Sequence, residues 1–186
     1  MYQIATMSQS TIVSAAAAGE PAMVFAKAPI RSPAMAVEPQ WIDYNGHLNV
    51  AWYQVFFCRA IEGVFALLGI GEEYYAQTNS SMFVLESHTS YLREIKDGDR
   101  IIVDTQILDS DSKRIHLFQT LIHAEDSFIS ATNESMQMHI DMTKRRAAPF
   151  RAEQIARLAA CTAAHADLRT PEQAGRSVGI RRRQVE

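Results

Sequence analysis

Trp41-Ile-Asp-Tyr-Asn-Gly-His-Leu-Asn-Val-Ala-Trp-Tyr53 is the stretch on which the fold turns. Asp43 stands just ahead of Asn45-Gly46, a dipeptide that accepts positive φ at small cost and marks a turn. Asn49 follows as a helix N-cap, and an apolar run opens at Val50 and lasts to Leu68. A carboxylate beside a fresh helix N-terminus is a usable chemical arrangement. The free N–H groups can hold a developing negative charge while the acid works on the same atom.

Working outward, the run from Val50 to Leu68 is too long for a strand and reads as one helix. Val50, Tyr53, Phe57, Ile61, Val64 and Leu68 recur at spacings of three and four. Trp52, Phe56, Ala60 and Phe65 make the other side apolar as well, which predicts a helix buried inside a domain. Arg59 and Glu62 and the marginal length speak against a membrane span. Gly69 and Gly71 stop the helix.

Before this helix, residues 22–42 read as extended, with Pro29, Pro33 and Pro39 suited to an edge strand and its approaches. After it, residues 72–81 form a polar connection with room for a short helical turn. Four strands are then expected in quick succession, over 82–95, 100–108, 114–123 and 128–142, joined by turn clusters such as Lys96-Asp-Gly-Asp99. Their hairpin spacing predicts an antiparallel sheet. Residues 151–168 resume a helical pattern that Pro171 ends. An open sheet over so apolar a helix must curl around it, and its edges invite a second copy.

The 186 residues fit one domain plus tails, with a hydrophobic content of 47% and a charged content of 21%, ordinary for a globular protein. Net charge is −3, against nucleic acid as main partner. The charge is uneven. Residues 144–186 carry ten Lys/Arg against four Asp/Glu, a net +6, leaving the body at −9. Such a tail can meet an anionic ligand or dock on its own body or a sister subunit, and docking is the reading preferred. Residues 1–21 lack the makings of a secretory signal and read as a loose leader. The domain proper is placed at 22–146 and the C-terminal helix with the basic tail at 147–186. Cys58 and Cys161 have no metal spacing and read as reduced structural thiols of a cytoplasmic protein.

Asp43-Tyr-Asn-Gly-His47-Leu-Asn49, with Tyr53 beyond, resembles the acyl-CoA thioesterases of the 4-hydroxybenzoyl-CoA type. Their hotdog fold is an α+β arrangement in which a curved antiparallel sheet wraps a central helix. Trp41 to Ala51, Phe83-Val-Leu-Glu-Ser-His88, Tyr91-Leu-Arg-Glu94, Lys113 to Phe118, Ala131-Thr-Asn-Glu134 and Arg145 to Phe150 resemble more closely the betainyl-CoA thioesterases of bacterial carnitine breakdown. Some of that group are fused to a carnitine dehydrogenase. The resemblance implies thioester hydrolysis without metal or cofactor, CoA being part of the substrate, at the interface of a homodimer or a dimer of dimers. It implies that Asp43 attacks or activates water and that an N–H near Val50 polarises the carbonyl. The cytoplasm is the expected compartment, with no membrane and no nucleic acid as partner.

Beside Asp43, each candidate has a plain reading and a functional one. Asn45 is first a turn former and then a catalyst. Gly46 answers a backbone need and permits close approach of a ligand. His47 can orient Asp43, touch substrate or be structural. Asn49 is the N-cap, and Tyr53 is a core residue whose hydroxyl is within reach of the site. Glu86 shares strand parity with His88, Met82, Val84 and Leu92, and a carboxylate on so apolar a face needs a partner or a function. Trp41, Tyr44, Trp52, Tyr53, Phe56 and Phe83 cluster near the site in sequence. For a trimethylammonium acyl group, two or three such rings with Glu86 as counter-charge would form a cage. Arg93, Lys113 and Arg114 are the basic candidates for CoA, with Arg145 and Arg146 behind them. His116, His123 and His139 have no ligand spacing, so no metal is expected. Two rivals stay open: a hotdog enoyl-CoA hydratase, for which the Asp43–His47 gap is one residue short and the usual Pro is missing, and a non-catalytic acyl-CoA binder.

Overall fold

A computed structural model describes residues 25–180; the leader at 1–21 and the last six residues of the basic tail lie outside them. In chain order the elements are β1 (Ile30–Arg31), β2 (Met35–Ala36), a 3-10 turn (Pro39–Trp41), α1 (Val50–Leu67), α2 (Glu72–Thr78), β3 (Ser80–Tyr91), β4 (Arg100–Ser110), β5 (Arg114–His123), β6 (Ile129–Asp141), β7 (Arg146–Ala147) and α3 (Ala152–His165). All strand pairs are antiparallel, in the order β1-β4-β5-β6-β3, with β2 also on β4 and β7 on β6. Arg31 fixes β1 to β4 by two 2.7 Å bonds to the Asp104 carboxylate.

One face of the sheet receives α1. Around its first half, Tyr53, Phe56, Phe57 and Ala60 pack with Ile101, Val103, Leu121 and Ala131, under Trp41 and Leu48. Around its second half, Val64 and Leu68 pack with Ile107, Ile115 and Leu117, and α3 adds Leu158 and Cys161. The helix is less enclosed than its composition predicts. Ala51, Gln54, Cys58, Arg59, Gly63 and Leu67 are exposed, because the sheet meets one side of α1 and α3 covers only its second half. α1 has the length and hydropathy of a membrane span, but its apolar inner face is spent on the sheet.

β3 departs from the expected strand at both ends and in the middle. It begins at Ser80 and ends at Tyr91, four residues short of Ile95, because the Leu92 and Arg93 N–H groups both turn to the Ser130 carbonyl. Within it, Val84 stands opposite Gln137 while Glu86 stands opposite Met136. This bulge puts Glu86 and His88 on the outer face, away from Met82 and Val84, so their expected common face is lost. A second bulge, between Ile107 and Asp109, bends β4.

α3 lies along β4. The Ile107 N–H donates to His165 Nδ1 at 3.0 Å, and Ser110 and Thr162 share a hydroxyl hydrogen bond. The chain then crosses to the outer face of the sheet, where the Gly175 N–H donates to Glu134 Oε2 at 2.6 Å.

Candidate active site

The signature stretch folds as a small hairpin whose two arms are the acid and the helix start. The Asp43 N–H donates to the His47 carbonyl, Ile42 bridges Leu48, and the Asn49 N–H donates to the Trp41 carbonyl at 2.9 Å. Gly46 holds φ +82°, where a Cβ is strained, and its N–H returns to the Asp43 carbonyl at 3.0 Å. Asp43 Oδ1 accepts the Asn45 N–H at 2.8 Å, so the acid also closes the turn. The turn consumes one carboxylate oxygen, and among the described residues no hydrogen bond engages the other. The Leu48 N–H donates to the Ile95 carbonyl at 2.8 Å, which ties the hairpin to the end of the sheet.

At the helix start, Asn49 Oδ1 accepts the Ala51 N–H at 3.0 Å, and the Asn49 carbonyl takes the Trp52 N–H. That leaves the Val50 N–H without a hydrogen-bond partner among the described residues, in a half-exposed first turn. A donor of this kind, fixed by a cap at the foot of the hairpin that carries Asp43, is suited to a carbonyl oxygen gaining charge.

His47 sits between two acids. Its Nδ1 is 4.0 Å from Asp43 Oδ1 and its Nε2 is 3.4 Å from Glu94 Oε2, with Lys96 beyond Glu94 at 3.7 Å. Glu94 was not among the expected site residues. The signal was its place in Tyr91-Leu-Arg-Glu94, hidden because that segment reads as strand continuation rather than as the strand's exit.

The aromatic residues do not form the expected cage. Trp41 is buried and stacks on Trp52 at 4.7 Å, Phe56 meets its edge, and the Arg59 guanidinium lies 5.4 Å from its ring. A cation is therefore already at Trp41. Tyr53 is 5% exposed and packs against Tyr91, a ring that the sequence reading passed over. Burial raises the Tyr53 phenol pKa, opposed by hydrogen bonds with Ser130 and Ile95, so its hydroxyl is used inside the core. Tyr44 is fully out at the turn tip.

Four expected residues are not brought to Asp43 by this chain. Phe83 and Glu86 lie on the outer face of β3. Lys113 and Arg114 are at the opposite end of the sheet, where Arg114 is held by Asp111 through Nε at 2.8 Å and Nη2 at 2.6 Å. Arg93 is at the correct end, two residues from Ile95, but lies over Phe128 at 3.8 Å. Recesses of about 260 and 400 Å³ open on the outer face, beneath residues 166–176, and neither includes Asp43. Among the described residues no group of His, Cys, Asp and Glu has a metal-holding arrangement.

The family model of the thioesterase-like superfamily matches residues 37–158. A betainyl-CoA thioesterase of Pseudomonas aeruginosa is 38% identical over 144 residues, which is 77% of this chain and 91% of that protein. An L-carnitine dehydrogenase/betainyl-CoA thioesterase of a Rhizobium species is 35% identical over 83% of this chain but only 31% of its own length. A Staphylococcus aureus protein solved in complex with CoA superposes with a TM-score of 0.78 at 30% identity, covering 85% of this chain and 99% of that one.

Proposed function

This chain belongs to the thioesterase-like superfamily, with the hotdog fold, and from that premise we propose that it is an acyl-CoA thioesterase whose substrate is betainyl-CoA. The observation that supports the reading is the hairpin that joins the Asp43 turn to the capped start of α1.

The thioester carbonyl oxygen is read as resting at the Val50 N–H, where charge developing on it meets a fixed dipole. Asp43 either removes a proton from the attacking water or adds to the carbonyl carbon itself. In the first course water adds to the carbonyl carbon and the C–S bond breaks; in the second the acyl group passes to Asp43 as a mixed anhydride, which water then hydrolyses to restore the acid. In both, CoA leaves as thiolate and the acyl group departs as a carboxylate. A thiolate is a good leaving group, so one acid and one oxyanion donor are sufficient machinery, and CoA enters only as part of the substrate. His47 positions Asp43, with Glu94 behind it.

The P. aeruginosa relative supports the betainyl group, and the fused relatives support a functional link to a carnitine dehydrogenase. The outer ring of the Trp41–Trp52 stack and the Glu94 carboxylate are the groups of this chain suited to a trimethylammonium ion. The edge strand β3 exposes Phe83, Val84 and Leu85, apolar residues on unpaired backbone, and a second copy is the proposed cover. The assembly is then a homodimer or a dimer of dimers. Phe83 and Glu86 act at the site only as residues of that second copy. The cytoplasm is the proposed location.

The deciding experiment incubates the protein with a panel of acyl-CoA esters and a thiol-reactive dye. Release of free thiol from betainyl-CoA, abolished by Asp43→Asn, supports the reading. Loss of enoyl absorbance without thiol release would make it a hydratase, and neither signal would leave a binder. Equal rates with betainyl-CoA and its uncharged tert-butyl isostere would remove the cation from the account.

A further inference from the structure

We infer that Asn133 and Gln119 are positioning residues for the start of α1, acting through a circuit of hydrogen bonds that leaves the helix at Gln54 and returns to it at Phe57. The inference rests on the reading that the first turn of α1 holds the thioester oxygen.

The circuit begins in the strand register. Thr89 stands opposite Asn133, Asn133 opposite Gln119, and Gln119 opposite Thr105, which lays one polar rung across β3, β6, β5 and β4 on the face beneath α1. Leu121 opposite Ala131 flanks it on one side; on the other, Leu117 stands between Ile107 on β4 and the buried Ser135 on β6. Thr105, Gln119 and Asn133 are at most 4% exposed.

The bonds run in one direction. Gln54 Nε2 donates to Ser87 Oγ at 3.3 Å, and Ser87 Oγ donates to Asn133 Oδ1 at 2.9 Å. Asn133 Nδ2 donates to Gln119 Oε1 at 3.3 Å, and Gln119 Nε2 donates to the Phe57 carbonyl at 3.0 Å. Thr89 adds a second donor to Asn133 Oδ1, and Thr105 a second acceptor for Gln119 Nε2. Bonds aligned in this way polarise one another.

Stability alone does not call for this rung. Two buried amides are costly to desolvate, and apolar side chains of the same volume hold a helix to a sheet at least as well. What the rung adds is direction. An apolar face lets α1 slide or turn by a fraction of its 1.5 Å rise per residue without losing contact, whereas two directional bonds three residues apart do not. Gln54 is one helical turn beyond Val50, so a clasp at 54 and 57 sets where the Val50 N–H lies relative to Asp43. The bulge in β3 serves this arrangement, because it turns Ser87 rather than Glu86 toward the helix.

The test compares Asn133→Ala, Gln119→Met and Ser87→Ala with Leu158→Ala, an apolar truncation against the other half of α1, in the full chain. Asn133→Ala and Gln119→Met are expected to lower kcat about tenfold or more with KM within about twofold, as misplacement of a reacting group does. Ser87→Ala, at the exposed end and safe for folding, is expected to lower kcat about threefold, and Ser87→Thr to restore it. Leu158→Ala is expected to lower Tm at least as far with kcat unchanged. Amide hydrogen exchange in Asn133→Ala should quicken at residues 50–54 more than at 60–67. Unchanged kcat in Ser87→Ala and Gln119→Met, an equal loss in Leu158→Ala, or exchange that quickens uniformly would each overturn the inference. If the wild-type protein hydrolyses no acyl-CoA, the functional reading fails by itself, and the exchange pattern still decides whether the circuit holds the helix start.

Discussion

The two halves of α1 are held by different forces. The first half is fixed by directional bonds: a capped start, a hairpin stitched through the Trp41 and Ile95 carbonyls, and the polar rung that grips residues 54 and 57. The second half is held by packing, Val64 and Leu68 against Ile107, Leu117 and Leu158. Apolar packing supplies most of the energy and tolerates small shifts. Hydrogen bonds supply less net energy but set angle and register. The half that carries the proposed chemistry is the half held by direction.

The strongest way to break this comparison is at the acid. Asp43→Asn is expected to cut kcat about a hundredfold or more while Tm barely moves, a loss in the range of a general base. Steady-state thiol release with a parallel melting curve measures both, and an unchanged kcat would remove chemistry from this half. Next in size is the packing half. Leu158→Ala, at a site 2% exposed, should cost about 2–5 kcal/mol in denaturant unfolding.

A pH effect sharpens the contrast. Burial lowers the His165 pKa from its usual 6.5, and its Nδ1 is occupied by the Ile107 N–H. Protonation there forfeits that bond. Because the folded-state pKa is the lower one, the contribution is complete above about 6.5 and is lost as pH falls through the depressed value. Melting curves should show α3 weakening on acidification, and His165→Gln should flatten that dependence. Cys161, whose thiol burial pushes up to about 11, reports the same event by becoming open to a thiol dye.

Smaller again is the cap. Asn49→Ala should cost about 1 kcal/mol of stability and lower kcat more than KM if the first turn holds the substrate oxygen. The smallest expected effect is at Arg114, which is paired with Asp111 at the far end of the sheet. Arg114→Ala should leave KM for acyl-CoA unchanged, and a raised KM would return Arg114 to the CoA contacts.

Much of this could be read from residues alone. The Asn-Gly turn, the Asn49 cap and the spacing of apolar residues from Val50 locate α1 and the acid beside it, since those are local effects. The span 114–123 coincides with β5 because turn clusters bound it on both sides. What could not be read is whatever depends on one extra residue or on distant pairing. A period of two carried through β3 places Glu86 inward, and only the observed pairing shows that Leu85 reverses it. Glu94 meets His47 because the strand ends early, and the Asn133–Gln119 contact joins residues fourteen apart that look like ordinary polar strand positions. Apolar composition likewise overstated how much of α1 is covered, because composition does not say which side a sheet will take.

The irregularity at Leu85 also has a practical reach. A library intended to reshape the surface under the helix must vary positions 82, 84, 87 and 89, not 82, 84, 86 and 88. Deleting Leu85 would straighten the strand yet leave Glu86 opposite Met136 and Ser87 opposite Ser135, so the extra residue can go without bringing the carboxylate inward.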